Sequence, residues 1–213
     1  MEFKSVIDLE ALAKQLDVPQ GFMEVGDKKI PMRQWTPDKL TKVADIARQS
    51  AVDDEPLAIT GVAPNWVLGT ITAAVYPQKI VFYVPAVDVA FNVECLTAGN
   101  ITPEGEVRFS VTEHPDAIAV NFMSDDPSKP FDHGPHNYDY ANIKKVHIPP
   151  VASGTRLLLS GRGAFPVALS IETGYIALGC SVWMRYQNET AYTCVYPDDN
   201  SSLGEQMNVN KTV

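Results

Sequence analysis

The feature that most constrains this chain is a pattern that occurs twice. Leu57-Ala58-Ile59-Thr60-Gly61 and Leu157-Leu158-Leu159-Ser160-Gly161 are short apolar runs that end in a hydroxyl residue and a glycine, 100 positions apart. At the same spacing Val67 matches Val167 and Ile71 matches Ile171, while Phe82 stands opposite Val182. A run of this length with β-branched and aliphatic residues reads as a buried strand, and the glycine marks a tight turn. Self-similarity at a fixed interval indicates a duplicated unit. The 213 residues therefore divide into an N-terminal helical extension (1–19), a first unit (20–105), a second unit (106–200) and a polar tail (201–213). The expected fold is α/β: two tandem copies of a small mixed-sheet unit, helices packed on the sheet, forming an intramolecular pseudo-dimer.

Around these runs the periodicities supply the other elements. Val6, Ile7, Leu9, Leu12 and Leu16 fall near one helical face, predicting a helix over 5–16 that Pro19 and Gly21 end. A second helix is expected from Pro37 to about Arg48, with Leu40, Val43, Ala44 and Ala47 as its apolar stripe. Helices over 64–76 and 166–177 follow the two glycine turns. Strands are expected at 80–84, 87–93, 107–111, 117–122, 179–183 and 190–195, with 107–122 a hairpin turning at His114-Pro115-Asp116. Pro127, Pro130, Gly134 and Pro135 make 125–138 a loop, and 140–146 a short helix.

Charge narrows the function. With 17 basic and 26 acidic residues the net charge is −9, so the chain lacks the broad cationic footprint that duplex nucleic acid requires. A local cationic pocket for a small anion is compatible with that balance. No stretch reaches the roughly 18 apolar residues of a membrane span, and no basic leader precedes an apolar run. Cys95, Cys180 and Cys194 are too scattered for a disulfide framework or a metal knuckle. Free thiols and a cytoplasmic setting are the expectation, with no membrane partner.

The repeated corner is where chemistry can reside. A strand feeding a helix N-terminus leaves unpaired backbone N–H groups and a positive dipole end, which favour anions. In the second unit the corner reads Ser160-Gly161-Arg162-Gly163, where glycines admit a close approach and Arg162 offers a donor fork suited to phosphate. In the first it reads Thr60-Gly61-Val62-Ala63-Pro64-Asn65-Trp66, uncharged, with Trp66 able to stack on a base or fill the core. No Lys-Ser/Thr follows the glycines, so this is not a Walker loop, nor is it a dinucleotide fingerprint.

An apolar strand, Ser-Gly-Arg-Gly, then Pro-x-Trp and an amphipathic helix resembles the small CRISPR-associated ring-nuclease family of type III systems. Leu158-Leu159-Ser160-Gly161-Arg162-Gly163 carries one part of that motif, and Ile59-Thr60-Gly61 with Pro64 and Trp66 the other. The lead-in Tyr140-Ala141-Asn142-Ile143-Lys144-Lys145-Val146-His147 is similar too. The resemblance implies recognition of cyclic tetra-adenylate in antiviral signalling, by a dimer that a tandem chain would supply from its own halves, and a homo-oligomer is also compatible with it. It implies ligand contacts at Thr60, Gly61, Asn65, Trp66, Ser160, Gly161, Arg162 and Gly163, with Arg185, Lys144 and Lys145 in support. It also implies manganese, used by family members together with a helix His and an Asp-Pro-Arg-like turn after the next strand. Neither helix here contains a His, and those turns read Tyr83-Val84-Pro85 and Trp183-Met184-Arg185-Tyr186.

His133-Gly134-Pro135-His136 lies among Asp125, Asp126, Asp132 and Asp139 and offers metal-ligand chemistry, although HxxH across Gly-Pro is not a helix-held pair. Glu113, Glu172 and Asp88 are acid/base candidates without an evident partner. The leading expectation is a cyclic-oligoadenylate binder acting as sensor, sponge or weak ring nuclease. The alternatives are an active ring nuclease and a non-catalytic protein–protein assembly domain.

Overall fold

The computed structural model describes residues 2–25, 28–99, 107–123, 140–186 and 191–209. Its strands are β1 (Ser5–Asp8), β2 (Gln20–Val25), β3 (Lys28–Arg33), β4 (Leu57–Thr60), β5 (Ile80–Val84), β6 (Val89–Asn92), β7 (Arg108–His114), β8 (Ala117–Met123), β9 (Arg156–Arg162), β10 (Ser181–Arg185), β11 (Ala191–Tyr196) and β12 (Gln206–Asn208). Its α-helices are α1 (Leu9–Gln15), α2 (Leu40–Ser50), α3 (Asn65–Val75) and α4 (Phe165–Ala177). The architecture is α/β with mixed sheets, as the sequence predicts.

One sheet has the order β1-β4-β5-β6, the first two pairings parallel and the last antiparallel. The larger sheet has the order β12-β11-β10-β9-β8-β7. Within it, β8-β9-β10-β11 repeats the same sequence of directions, parallel, parallel and antiparallel. β7 and β12 add antiparallel edges, and β2 with β3 forms a separate hairpin.

Helices α3 and α4 carry almost no polar face. Residues 166–176 of α4 are all buried, as are nine positions of α3. A helix apolar all round belongs in the interior. Here α3 packs on α2, on α4 and on β10 and β11 of the larger sheet, while α4 packs on β9 and β10. Two ring contacts tie the halves together: Trp66 of α3 meets Tyr186 just beyond β10 at 5.2 Å, and Phe165 of α4 meets Phe82 of β5 at 5.6 Å. One hydrophobic cluster runs from Ile7 through Val195. Burial of apolar surface on this scale is the main force holding such halves together.

Several expectations are corrected. Ser5–Asp8 is a strand parallel to β4, not the first turn of a helix; Ser5 and Ile7 point inward and Val6 and Asp8 outward, the period of a strand. Asp8 caps α1, its Oδ1 accepting from the N–H groups of Glu10 and Ala11 at 2.9 Å. The N-terminal segment thus supplies a sheet edge as well as a helix. Pro37–Lys39 is a 3₁₀ turn preceding α2, and Pro85–Val87 another that, with Asp88 at φ 50°, delays β6 to Val89. Gln206–Asn208, in the expected polar tail, pairs with β11.

The second Gly is not a turn residue. β9 continues through Ser160, Gly161 and Arg162 because the seven-residue β8 extends the ladder, pairing Asn121, Phe122 and Met123 with them. In the first half β1 ends at Asp8, opposite Thr60, and Gly61 is free to take φ +97°. The spacing also drifts. Leu57 pairs with Ile80 but Leu157 pairs with Val182, since α4 has 13 residues and α3 has 11. The counterpart of Phe82 is therefore Met184, not Val182.

Candidate ligand cleft

Where β9 and β10 end, the second half meets the start of α3. A cleft of about 430 Å³ opens there. One wall is Pro64, Asn65 and Trp66, the opening residues of α3. The other is Leu159, Ser160 and Gly161 of β9 with Phe122 of β8. Met184, Arg185 and Tyr186 at the end of β10 complete it. The carboxyl ends of parallel strands are where ligands enter α/β sheets. The two repeated corners, distant in sequence, thus contribute to one concavity.

Each residue is held by a local cause. Pro64 occupies the N-cap of α3 with φ −58° and ψ 148°, and its carbonyl accepts from the N–H of Val67 at 2.9 Å. No side chain caps α3 or α4. Gly161 is fixed by packing: a Cβ there would lie 2.3 Å from the buried Phe122 ring, so only glycine lets the ring lie flat against β9. Ser160 donates to Asn121 Oδ1 at 3.4 Å. The indole of Trp66 is nearly fully buried and meets Tyr186 edge-on at 78°.

The electrostatics are simple. Arg185 is exposed and, among the described residues, is the one charged side chain lining the cleft. Among the described residues its guanidinium makes no ion pair or side-chain hydrogen bond. Across from it Asn65 is half-buried, and its Oδ1 is covered without a hydrogen-bond partner. Among the described residues no carboxylate, imidazole or thiol lines the cleft. These residues can attract an anion and contact a planar ring, but they include no ordinary general base.

Of the residues expected at a site, Asn65, Trp66, Ser160, Gly161 and Arg185 come together here. Thr60, Gly61, Arg162, Gly163, Lys144 and Lys145 do not line the cleft. Thr60 is buried at the end of β4, and Lys144 is 3.5 Å from Glu94. Arg162 is carried past the cleft by the extra length of β9 and sits opposite Met123. Met184, near the end of β10, and Tyr186, just beyond it, were missed as liners. Their position beside Arg185 was the available signal. His133 and His136 lie outside the described residues, and among the described residues no cluster of three metal-ligating side chains occurs. Among the same residues no helix is long and apolar enough to cross a membrane.

Beneath the cleft, Glu172 of α4 is fully buried and neither carboxyl oxygen has a partner. Burial pushes its pKa well above the ordinary carboxylate value, which favours the neutral form. It touches the same spot on α3 as the thioether of Met184, which lines the cleft.

No protein-family model, curated protein or solved structure matches this chain.

Proposed function

We propose that this chain binds a cyclic oligoadenylate, cyclic tetra-adenylate in the first instance, in the cleft between its halves, acting in antiviral signalling as a sensor or sponge. The observation that carries the reading is the convergence of Asn65 and Trp66 from the first corner with Ser160, Gly161 and Arg185 from the second. Their shared strand order and directions support reading the halves as tandem copies whose pairing stands in for a dimer. Contacts in both directions, Trp66 of α3 on Tyr186 and Phe165 of α4 on Phe82, join each helix start to the other half's strands. Among the described lining residues the cation Arg185 faces no carboxylate, which in a chain of net charge −9 suits a small phosphodiester ligand.

Binding is favoured over cleavage by the lining itself. Ring opening by a ribose 2′-OH needs a group to take its proton and charge stabilisation at the phosphate. Arg185 provides the second, and among the described lining residues none provides the first at neutral pH.

The test is a thermal-shift series with cyclic tri-, tetra- and hexa-adenylate, followed by incubation with and without Mn²⁺ and chromatography of the nucleotide. The expected outcome is a raised Tm with the tetra-adenylate, since a ligand at about 100 times its Kd stabilises by about 2.7 kcal/mol, and recovery of the ring intact. No shift with any ring overturns the reading and favours an assembly domain. Conversion to linear product replaces the binder with a nuclease.

A further inference from the structure

The halves of this chain share their strand order, but they do not share their site chemistry. The paired registers Leu57–Ile80 and Leu157–Val182 make Tyr83 the counterpart of Arg185 and Val84 the counterpart of Tyr186. Tyr83 is no cation: its hydroxyl donates to Asp88 Oδ1 at 2.9 Å, which places a carboxylate where the other half has a guanidinium. On the helix side, Asn65 corresponds to Phe165, and that ring is packed on Phe82 at 5.6 Å. The Tyr83 hydroxyl is taken up by Asp88 rather than open to a phosphate, and the Phe165 ring offers no amide. The pairing of the α3 start with the end of β10 is thus equipped for a nucleotide, and the equivalent pairing of the α4 start with the end of β5 is not.

Size agrees with charge. Small-ligand pockets occupy roughly 300–1,000 Å³, and about 430 Å³ is room for one nucleotide segment rather than a ring of four.

We infer that the cleft grips its ligand at a single nucleotide segment, with one phosphate on Arg185 and the attached base against Asn65, Trp66 and Tyr186, so that a ring is read at one side only. This rests on the cyclic-oligoadenylate reading. It changes what the protein discriminates. A site with two matched ends selects for a closed, symmetric ring, whereas a one-ended site also accepts the linear fragment of that ring. The natural ligand set then includes the products of ring opening, and one chain holds one ligand.

The experiment is isothermal titration of the full chain with cyclic tetra-adenylate and, separately, with the linear di-adenylate that carries a 5′-hydroxyl and a 2′,3′-cyclic phosphate, the fragment that 2′-OH attack leaves. Wild type, Arg185→Ala, Arg185→Lys and Asp88→Asn are compared. Both nucleotides are expected to bind at one per chain, with affinities within about tenfold of each other, as for ligands sharing the same anchoring contacts. Arg185→Ala is expected to weaken both by at least about tenfold, Arg185→Lys to restore part of that loss, and Asp88→Asn to change neither. Because Arg185 and Asp88 are exposed, these variants leave the core intact. Tight binding of the ring with no detectable binding of the linear fragment overturns the one-ended site and leaves the proposed function standing. So does an Asp88→Asn variant that gains a second binding event. If neither nucleotide binds, the proposed function fails and the one-ended site with it.

Discussion

The carboxyl group of Glu172 on α4 lies against the backbone of Gly69 on α3, so close that a methyl group on Gly69 would sit 2.8 Å from both carboxyl oxygens. The missing Cβ is what lets a carboxylic acid enter the seam between two otherwise apolar helices. The acid finds no hydrogen-bond partner there, and an unpaired buried charge costs far more than an unpaired neutral group. The seam therefore keeps a proton.

That proton makes stability fall with rising pH. The folded-state pKa of Glu172 is raised above its unfolded value, so the folded chain binds a proton that the unfolded chain releases. Its contribution is complete below the ordinary carboxylate pKa and is lost as pH rises towards the folded value, at up to about 1.4 kcal/mol per pH unit. Glu172→Gln is expected to remove this slope, and urea unfolding of both proteins from about pH 5 to about pH 8 measures it. Parallel curves for the two proteins would mean that Glu172 is ionised in the fold.

Gly174→Ala should destabilise, although alanine is the better helix former. In an exposed helix the exchange stabilises by about 1 kcal/mol. Here the new methyl would stand 2.5 Å from the carbonyl oxygen of Leu96 and 2.9 Å from Ile148 Cδ1, and the backbone oxygen cannot step aside. Overpacking of this kind costs about 1–3 kcal/mol. The midpoint of chemical denaturation gives the sign, and a more stable variant would show that the Leu96 strap yields.

The two arginines nearest the second corner separate by where the fold puts them. Arg185 lines the cleft and Arg162 does not. Arg185→Ala is expected to weaken cyclic tetra-adenylate by about 1.5–3 kcal/mol, the range for a hydrogen bond to a charged group. Arg162→Ala is expected to change binding by less than about 0.5 kcal/mol, as for surface positions away from a site. Titration calorimetry on both variants decides, and the reverse ranking would return the phosphate to the glycine corner.

Thiol labelling should resolve the three cysteines in one native experiment. Cys95 is exposed, while Cys180 and Cys194 are buried. Burial raises the Cys180 thiol and pushes Cys194 up to about 12, so neither forms the reactive thiolate near neutrality. With an aromatic disulfide reagent at neutral pH, one equivalent is expected to react in the folded protein and the remaining two only on unfolding. Rapid release of all three would place the buried pair in a segment that opens readily.

From Leu57 to Tyr196 the order of strands and helices was legible because burial leaves a local imprint, whereas β1, the β2–β3 hairpin and β12 were not. Leu57 to Thr60 and Leu157 to Leu159 are apolar runs, and α3 and α4 lack a polar face, so the sequence alone determined that these segments form the interior and that one pattern is used twice. It also put Asn65, Trp66, Ser160, Gly161 and Arg185 among the candidates. Only the tertiary structure decided which of them meet. Whether Gly161 turns or continues a strand depends on Phe122, far away in sequence, offering it a partner, and Gly61 turns because Asp8 is the last residue of its neighbour. That difference in ladder length carries Arg162 past the cleft and leaves Arg185 to face it. Side-chain periodicity encodes which face is buried; pairing between distant strands sets where each strand stops, and that fixes the charge at the site.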